Sequence, residues 1–344
     1  MADPEFVVVG AGVMGAATAW RLAQRGKEVL LLEQFEVGHD RGSSHGRSRV
    51  FRFSYEDPVY VQMAMEALPL WRELEEESRS SVLTILGGLD FGADLAPNVA
   101  ALRGCNADFE LIDADEAMRR FPMASVPNGS PLLFQPNAGI VAADRAVRTF
   151  IQCAMDRSAQ LRERTGVVEL NKQGEGVEVR TANDTYRPRR VVVTAGAWAG
   201  PLLRSVGVKL PVVVTRETVA YFAHEQEMPL PILVDRGSPF VYSLPDPGHG
   251  IKAGGHHTGP PTDPNEPGKV DPGMVDLLSA WVGRHYPGAD AHPHHAETCL
   301  YTNTADESFI LERHGPVVVG SPCSGHGFKF APLIGERLAR LALE

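Results

Sequence analysis

The chain has 344 residues, 43% hydrophobic and 22% charged, enough for one large core or two interleaved domains that enclose a sizeable ligand. No apolar run approaches the roughly 18 residues of a bilayer span, and a formal charge of −10 without a Lys and Arg stripe argues against a nucleic-acid surface. Four dispersed cysteines, Cys105, Cys153, Cys299 and Cys323, show no CxxC spacing, so neither a zinc site nor a disulfide framework is indicated, and a reducing, cytoplasmic setting is expected.

The opening Met1-Ala2-Asp3-Pro4-Glu5-Phe6 has no secretory features and reads as vector-derived sequence outside the fold. Residues 7–9 form a short buried-strand pattern. Gly10-Ala11-Gly12-Val13-Met14-Gly15 follows and opens a helix whose Ala16, Ala19, Leu22 and Ala23 recur at helical spacing; Val29–Leu32 is a second apolar strand, ending at Glu33. Strand, glycine turn, helix and strand make a βαβ unit, and its right-handed crossover sets the two strands side by side and parallel in a doubly wound sheet.

In such a unit Gly10 permits the tight turn, Gly12 lets the backbone approach a pyrophosphate, and Gly15 packs the helix on the sheet. The helix N-terminus at Val13 and Met14 offers donors to phosphate, and Glu33 stands where a carboxylate accepts ribose hydroxyls. A GxGxxG alone also fits a chance turn; strand, helix and Glu33 together favour a dinucleotide. The motif does not choose between NAD and FAD. The next segment, Gly42-Ser43-Ser44-His45-Gly46-Arg47-Ser48-Arg49, sets hydroxyls, a histidine and two arginines beside glycines, although a solvated loop fits it equally when it is taken alone.

Residues 59–78 read as an amphipathic helix with Ala64, Leu68, Trp71 and Leu74 on one face. Residues 83–139 are broken by Gly and Pro and hold short alternating segments at 86–91 and 131–135. Asp144 is placed to cap a helix running through Ala154; residues 167–170, Gly176–Thr181 and 190–194 read as strands, the last entering Ala195-Gly196-Ala197-Trp198. From 211 to 295 come strands at 219–222, 240–244 and 250–254, with one helix near 274–284. A strand at 317–320, a glycine turn at 324–327 and a helix through Leu343 follow. The expected architecture is α/β. A doubly wound dinucleotide-binding domain (1–82, 140–212, 296–344) interleaves with an α+β, mixed-sheet substrate domain (83–139, 213–295).

The glycine motif, Glu33, the 42–49 segment, Ala195-Gly196-Ala197-Trp198, Cys299-Leu300-Tyr301-Thr302 and Ser324-Gly325-His326-Gly327-Phe328-Lys329-Phe330 occur together and in order. Over essentially its whole length the chain resembles the monomeric sarcosine oxidase family, which includes N-methyltryptophan oxidase and pipecolate oxidase, within the D-amino-acid-oxidase-like flavoproteins. The resemblance implies FAD bound covalently through Cys299, a Rossmann-like FAD domain, and a monomer with a small amine or amino-acid substrate and oxygen as its partners. It implies that Lys252 activates oxygen, that His256 orients the amine with His257 as a competitor, and that His45 and Arg49 lie near the flavin ring. Arg52 and Lys329 match the pair that holds a substrate carboxylate, and Tyr242 and Tyr301 match pocket tyrosines, although core packing explains a tyrosine equally well. Ser43, Ser44, Gly325, His326, Gly327 and Lys329 match cofactor positions, with Gly325-His326-Gly327 opening the terminal helix toward the flavin.

Three departures stand out: Ser44 replaces a second histidine, Cys323 replaces a phenylalanine, and the C-terminus is short. The first two put the pocket's shape in doubt, and the third implies loss of a surface tail. The implied reaction takes a secondary or cyclic amino acid to an imine and oxygen to hydrogen peroxide. The rivals are oxidation of a cyclic amine or imine intermediate in a biosynthetic pathway, a flavin dehydrogenase with another acceptor, a non-catalytic flavin-binding module, and an NAD-dependent dehydrogenase.

Overall fold

The computed structural model describes residues 3–92, 94–129, 131–174, 176–224 and 230–344; Met1 and Ala2 lie outside them, whereas Phe6, expected outside the fold, begins the first strand because its apolar side chain continues the buried run. Phe6–Val9 is buried along its whole length, as an unbroken apolar run in the middle of a parallel sheet must be. It lies between Val29–Leu32 and Arg190–Val193, parallel to both, with Phe6 level with Val29 and with Arg190. Val317–Ser321 extends the sheet in parallel, Ile310–His314 turns back antiparallel at that edge, and Gln160–Arg162 forms the other edge. The βαβ unit and the α/β fold class are therefore as expected.

The helix Val13–Gln24 sits very close to this sheet. A Cβ on Gly15 would stand 1.9 Å from the Gly10 carbonyl oxygen, and one on Gly335, in the helix Ala331–Leu343, 2.6 Å from the carbonyl carbon of Ala17. Both approaches require glycine. The helix Ala143–Met155 packs beside them through Ala146, Phe150 and Ala154. Asp144 lies in its first turn and not at its cap: the strand Gly139–Ala142 runs directly into the helix, and Ala142 takes the capping position.

A second sheet of eight strands has the order His295–Asn303, Val213–Phe222, Gly250–Gly255, Val241–Asp246, Ile232–Asp235, Gly88–Phe91, Leu132–Gln135 and Glu110–Ile112. His295–Asn303 pairs with Val213–Phe222 from Val213↔Asn303 to Tyr221↔His295, so the boundary expected at residue 296 cuts a strand of this sheet. The helix Pro272–His285 covers the sheet's outer face, started by Asp271, whose side chain accepts from the Gly273 N–H at 2.9 Å. Among the described residues no helix is long and apolar enough to cross a membrane, and all four cysteines are free.

The helix Pro58–Ser78 is capped by Asp57, which accepts from the Val59 N–H at 2.8 Å. Its buried Trp71 is stacked nearly parallel to Phe328, with 7° between the rings, and donates Nε1–H to the Lys329 carbonyl at 2.7 Å. That bond fixes the backbone from which Lys329 projects. Trp71→Ala should lower the unfolding free energy by about 3–5 kcal/mol, and Trp71→Phe by roughly 1–3 kcal/mol because the carbonyl loses this donor. Urea midpoints check both, and an unchanged midpoint in the Phe variant would mean the hydrogen bond contributes nothing.

Candidate active site

One open cleft with about 2060 Å³ of empty space joins the two sheets. Its lining runs from the glycine turn and Glu33 past Lys252 and Cys299 to Arg52 and Lys329, so an extended cofactor and a second molecule can lie along it. Of the candidate site residues singled out in the sequence, all but Gly15 and His257 line it. Gly15 instead packs helix on strand.

At one end Gly10 has φ 95°, and a Cβ there would stand 2.8 Å from the Thr194 carbonyl oxygen. Glu33 is buried and accepts from the backbone N–H of Ala11 at 2.8 Å and of Phe35 at 3.0 Å, tying the glycine turn to the end of the second strand. Ser44 Oγ accepts from the Val13 N–H at 3.1 Å, and a Cβ on Gly12 would lie 3.1 Å from that oxygen. Ser43 donates to the Leu300 carbonyl, which fastens the 42–49 loop to the eight-stranded sheet.

The middle of the cleft holds a charge cluster. Arg49 donates to the carbonyls of Ser48, Ser43 and His45, which shapes the loop around its own guanidinium. His45 Nδ1 lies 3.7 Å from Glu297 Oε2; burial and then Arg49 bring this imidazole down to about 4. Lys252 is 3% exposed, and burial followed by the Arg49 charge pulls it down to about 7. Glu297 Oε1 accepts a hydrogen bond from the Tyr221 hydroxyl at 2.5 Å. Burial works to raise this carboxyl, but the Tyr221 hydrogen bond and the charges of His45, Lys252 and Arg49 outweigh it and hold it low. A Cβ on Gly46 would stand 3.3 Å from Arg49 Nη1 and 3.6 Å from both Glu297 Oε1 and Lys252 Nζ, so the three charges converge on that glycine. Sequence reasoning missed Glu297. The signal was present, because alternation along the strand His295–Asn303 puts Glu297, Cys299 and Tyr301 on one face.

Cys299 is buried, and burial raises its thiol against the opposing pull of Arg49 and Lys252. Cys323 also lines the cleft, with its sulfur accepting from the Thr302 N–H at 3.4 Å.

At the far end Arg52 donates to the Ser54 carbonyl and lies 4.6 Å from the Tyr55 ring centroid. Lys329 Nζ donates to the Tyr55 hydroxyl and the His326 carbonyl, each at 2.7 Å; burial and then Arg52 hold it well below an ordinary lysine. Tyr55, a second residue that sequence reasoning missed, therefore joins the two cations. Burial raises the Tyr242 and Tyr301 phenols, and the two interact with each other. His256 lies 5.1 Å from Phe240 and 5.8 Å from Tyr301 between ring centroids, and burial, helped by His257 and His326, holds it at about 2, so it is neutral. The turn 325–327 does not open the terminal helix directly. The 3₁₀ turn Phe328–Phe330 intervenes, and the α-helix begins at Ala331, where Pro332 suits the first turn. A Cβ on Gly325 would meet the Tyr301 ring at 2.2 Å, so this turn presses against the tyrosine.

The residues fit a dinucleotide cofactor. Glycines allow close backbone approach, a helix N-terminus opens into the cleft, and the buried His45 Nε2 has no hydrogen-bond partner among the described residues. Because Glu297 is the counter-ion to His45 and Lys252, Glu297→Gln should lower the pKa of both. NMR titration of the Lys252 side chain checks this; an unmoved midpoint would remove Glu297 from that role.

Residues 5–341 match the family described as FAD dependent oxidoreductase. The peroxisomal sarcosine oxidase of Homo sapiens is 34% identical, with 99% of this chain and 92% of the relative covered. The monomeric sarcosine oxidase of a Bacillus species (strain B-0618) is 32% identical, covering 98% and 92%. Among solved structures NikD, an unusual amino acid oxidase essential for nikkomycin biosynthesis, is similar in its open form with a TM-score of 0.90 and 29% identity, covering 100% of this chain and 95% of that one.

Proposed function

The chain belongs to the FAD dependent oxidoreductase family, and from that premise we propose that it oxidises the C–N bond of a small secondary or cyclic amino acid, sarcosine-like, to an imine while oxygen becomes hydrogen peroxide. The observation that carries this reading is one cleft that brings Arg52 and Lys329 together at one end and Lys252 and Cys299 further in. Bound FAD supplies the two-electron acceptor. The glycine turn, Val13, Met14, Glu33, Ser43 and Ser44 hold its dinucleotide portion, with Gly325, His326 and Gly327 along the opposite wall.

Arg52 and Lys329 grip the substrate carboxylate, and the incoming anion restores the charge that burial takes from Lys329. Neutral His256 orients the amine without repelling it, and Tyr242 and Tyr301 wall the pocket. Only the neutral amine carries the lone pair that drives oxidation, so substrate oxidation speeds up as pH rises. Lys252, in its cationic form, stabilises negative charge arising on oxygen, with His45 and Arg49 beside it. The same two cations, Lys252 and Arg49, oppose the burial that keeps the Cys299 thiol protonated, and this supports Cys299 as the attachment point. We place the protein as a cytoplasmic monomer, a reading supported by its free cysteines and its likeness to a monomeric relative. The domain segments given above are retained with the strand His295–Asn303 assigned to the substrate domain.

The similarity to NikD favours a second reading, oxidation of a cyclic amine or imine in a biosynthetic pathway. Peroxide release from a panel of N-methyl and cyclic amino acids separates the two. Acid precipitation should leave yellow flavin in the pellet, and Cys299→Ser should move it to the supernatant. Flavin in the supernatant of the unaltered protein would remove the covalent bond while keeping FAD. Reoxidation by oxygen should slow as pH rises through about 7, where Lys252, surrounded by Arg49, Cys299, Glu297, Asp246 and Tyr221, loses its proton. Lys252→Met should slow that half-reaction by about 10²–10³-fold and leave anaerobic reduction by substrate nearly unchanged. Equal losses in stopped-flow records of both halves would overturn the assignment.

A further inference from the structure

At the rim of the cleft, outside the machinery assigned above to flavin and substrate except for one residue, three metal-ligating side chains meet. The ligand atoms of His256, His257 and Glu307 all lie within 4.8 Å of one another. They come from two turns. His256 and His257 follow the strand Gly250–Gly255, and Glu307 lies in the loop between His295–Asn303 and Ile310–His314. His257 and Glu307 both have left-handed backbones, φ 54° and 60°, and His257 Nε2 faces Glu307 Oε1 at 3.4 Å. The Ser324 backbone is a further polar neighbour of His257.

We infer that His256, His257 and Glu307 form a binding site for a divalent ion of the zinc class, empty in this structure, which inhibits the enzyme by drawing the His256 ring away from the amine. Two imidazoles and one carboxylate are the donor set that zinc takes when a fourth position is left open. The 3.4 Å between His257 and Glu307 suits neighbouring ligands of a tetrahedral ion, and the third donor needs only a small side-chain shift. The buried Glu217 carboxylate adds negative charge near His257, while Arg52 and Lys329 act against a cation. Of the three ligands only His256 lines the cleft, so the ion sits at the rim and the inhibition passes through that one ring.

The test is a zinc titration of the flavin-loaded protein, read by competition with a chromophoric chelator and, separately, by turnover. One zinc per chain is expected, with a rise in apparent KM. His257→Ala and Glu307→Gln, both in exposed residues outside the proposed machinery, should keep metal-free turnover and weaken zinc binding by about tenfold or more, which is about 1.4 kcal/mol or more. His294→Ala serves as control, because the exposed histidines at 292, 294 and 295 are the alternative place for adventitious zinc. Zinc affinity unchanged in either test variant, or lost in the His294 variant, overturns the site. The chelator readout does not depend on the substrate, so a wrong substrate assignment leaves the result interpretable.

Discussion

The absence of a side chain at Gly15 is the constraint from which the cofactor end of the molecule follows. With 1.9 Å between a would-be Cβ and the Gly10 oxygen, the first helix can lie on the first strand only if that position is glycine. Its N-terminus is thereby brought into the cleft, where the N–H of Val13 faces the 42–49 loop. Gly335 repeats the device one layer out, seating the helix Ala331–Leu343 on Ala17. Helix, loop and terminal helix are held at short range by backbone contact, which leaves the cleft wall little freedom to deform.

Charge balance governs the middle of the cleft. Arg49, Lys252 and His45 are three bases in a largely desolvated space, and Glu297 is the carboxylate set among them. Burial disfavours the charged forms of His45, Lys252 and Glu297, so these three depend on their neighbours for their protonation states. At the far end, no salt bridge to Lys329 forms among the described residues. Its hydrogen-bond partners are a phenol and a carbonyl, neither of which carries a formal negative charge.

Much of this was legible in the sequence, because it rests on local rules. The βαβ unit, its glycines and Glu33 follow from spacing, and the resemblance carried Lys252, Cys299, Arg52 and Lys329 to positions that line one cleft. What sequence reasoning missed depends on pairing between distant segments. Glu297 and Tyr221 meet because the strands that carry them pair in one register, which single-strand patterns do not encode. Tyr55 joins Lys329 across 274 positions of chain. The boundary at 296 failed for the same reason, since composition does not change where the strand His295–Asn303 begins. Asp144 and the 325–327 turn were displaced by a few residues, because the elements flanking them took the capping positions first.

The order of strands in the two sheets has a consequence for biosynthesis. The six-stranded sheet places Val317–Ser321 beside Arg190–Val193, and the eight-stranded sheet ends on His295–Asn303, so neither cleft wall exists until those late segments have paired with early ones. Such long-range closure is slow relative to helix formation. A nascent chain therefore presents the glycine turn long before the strands that complete the cleft walls have been made.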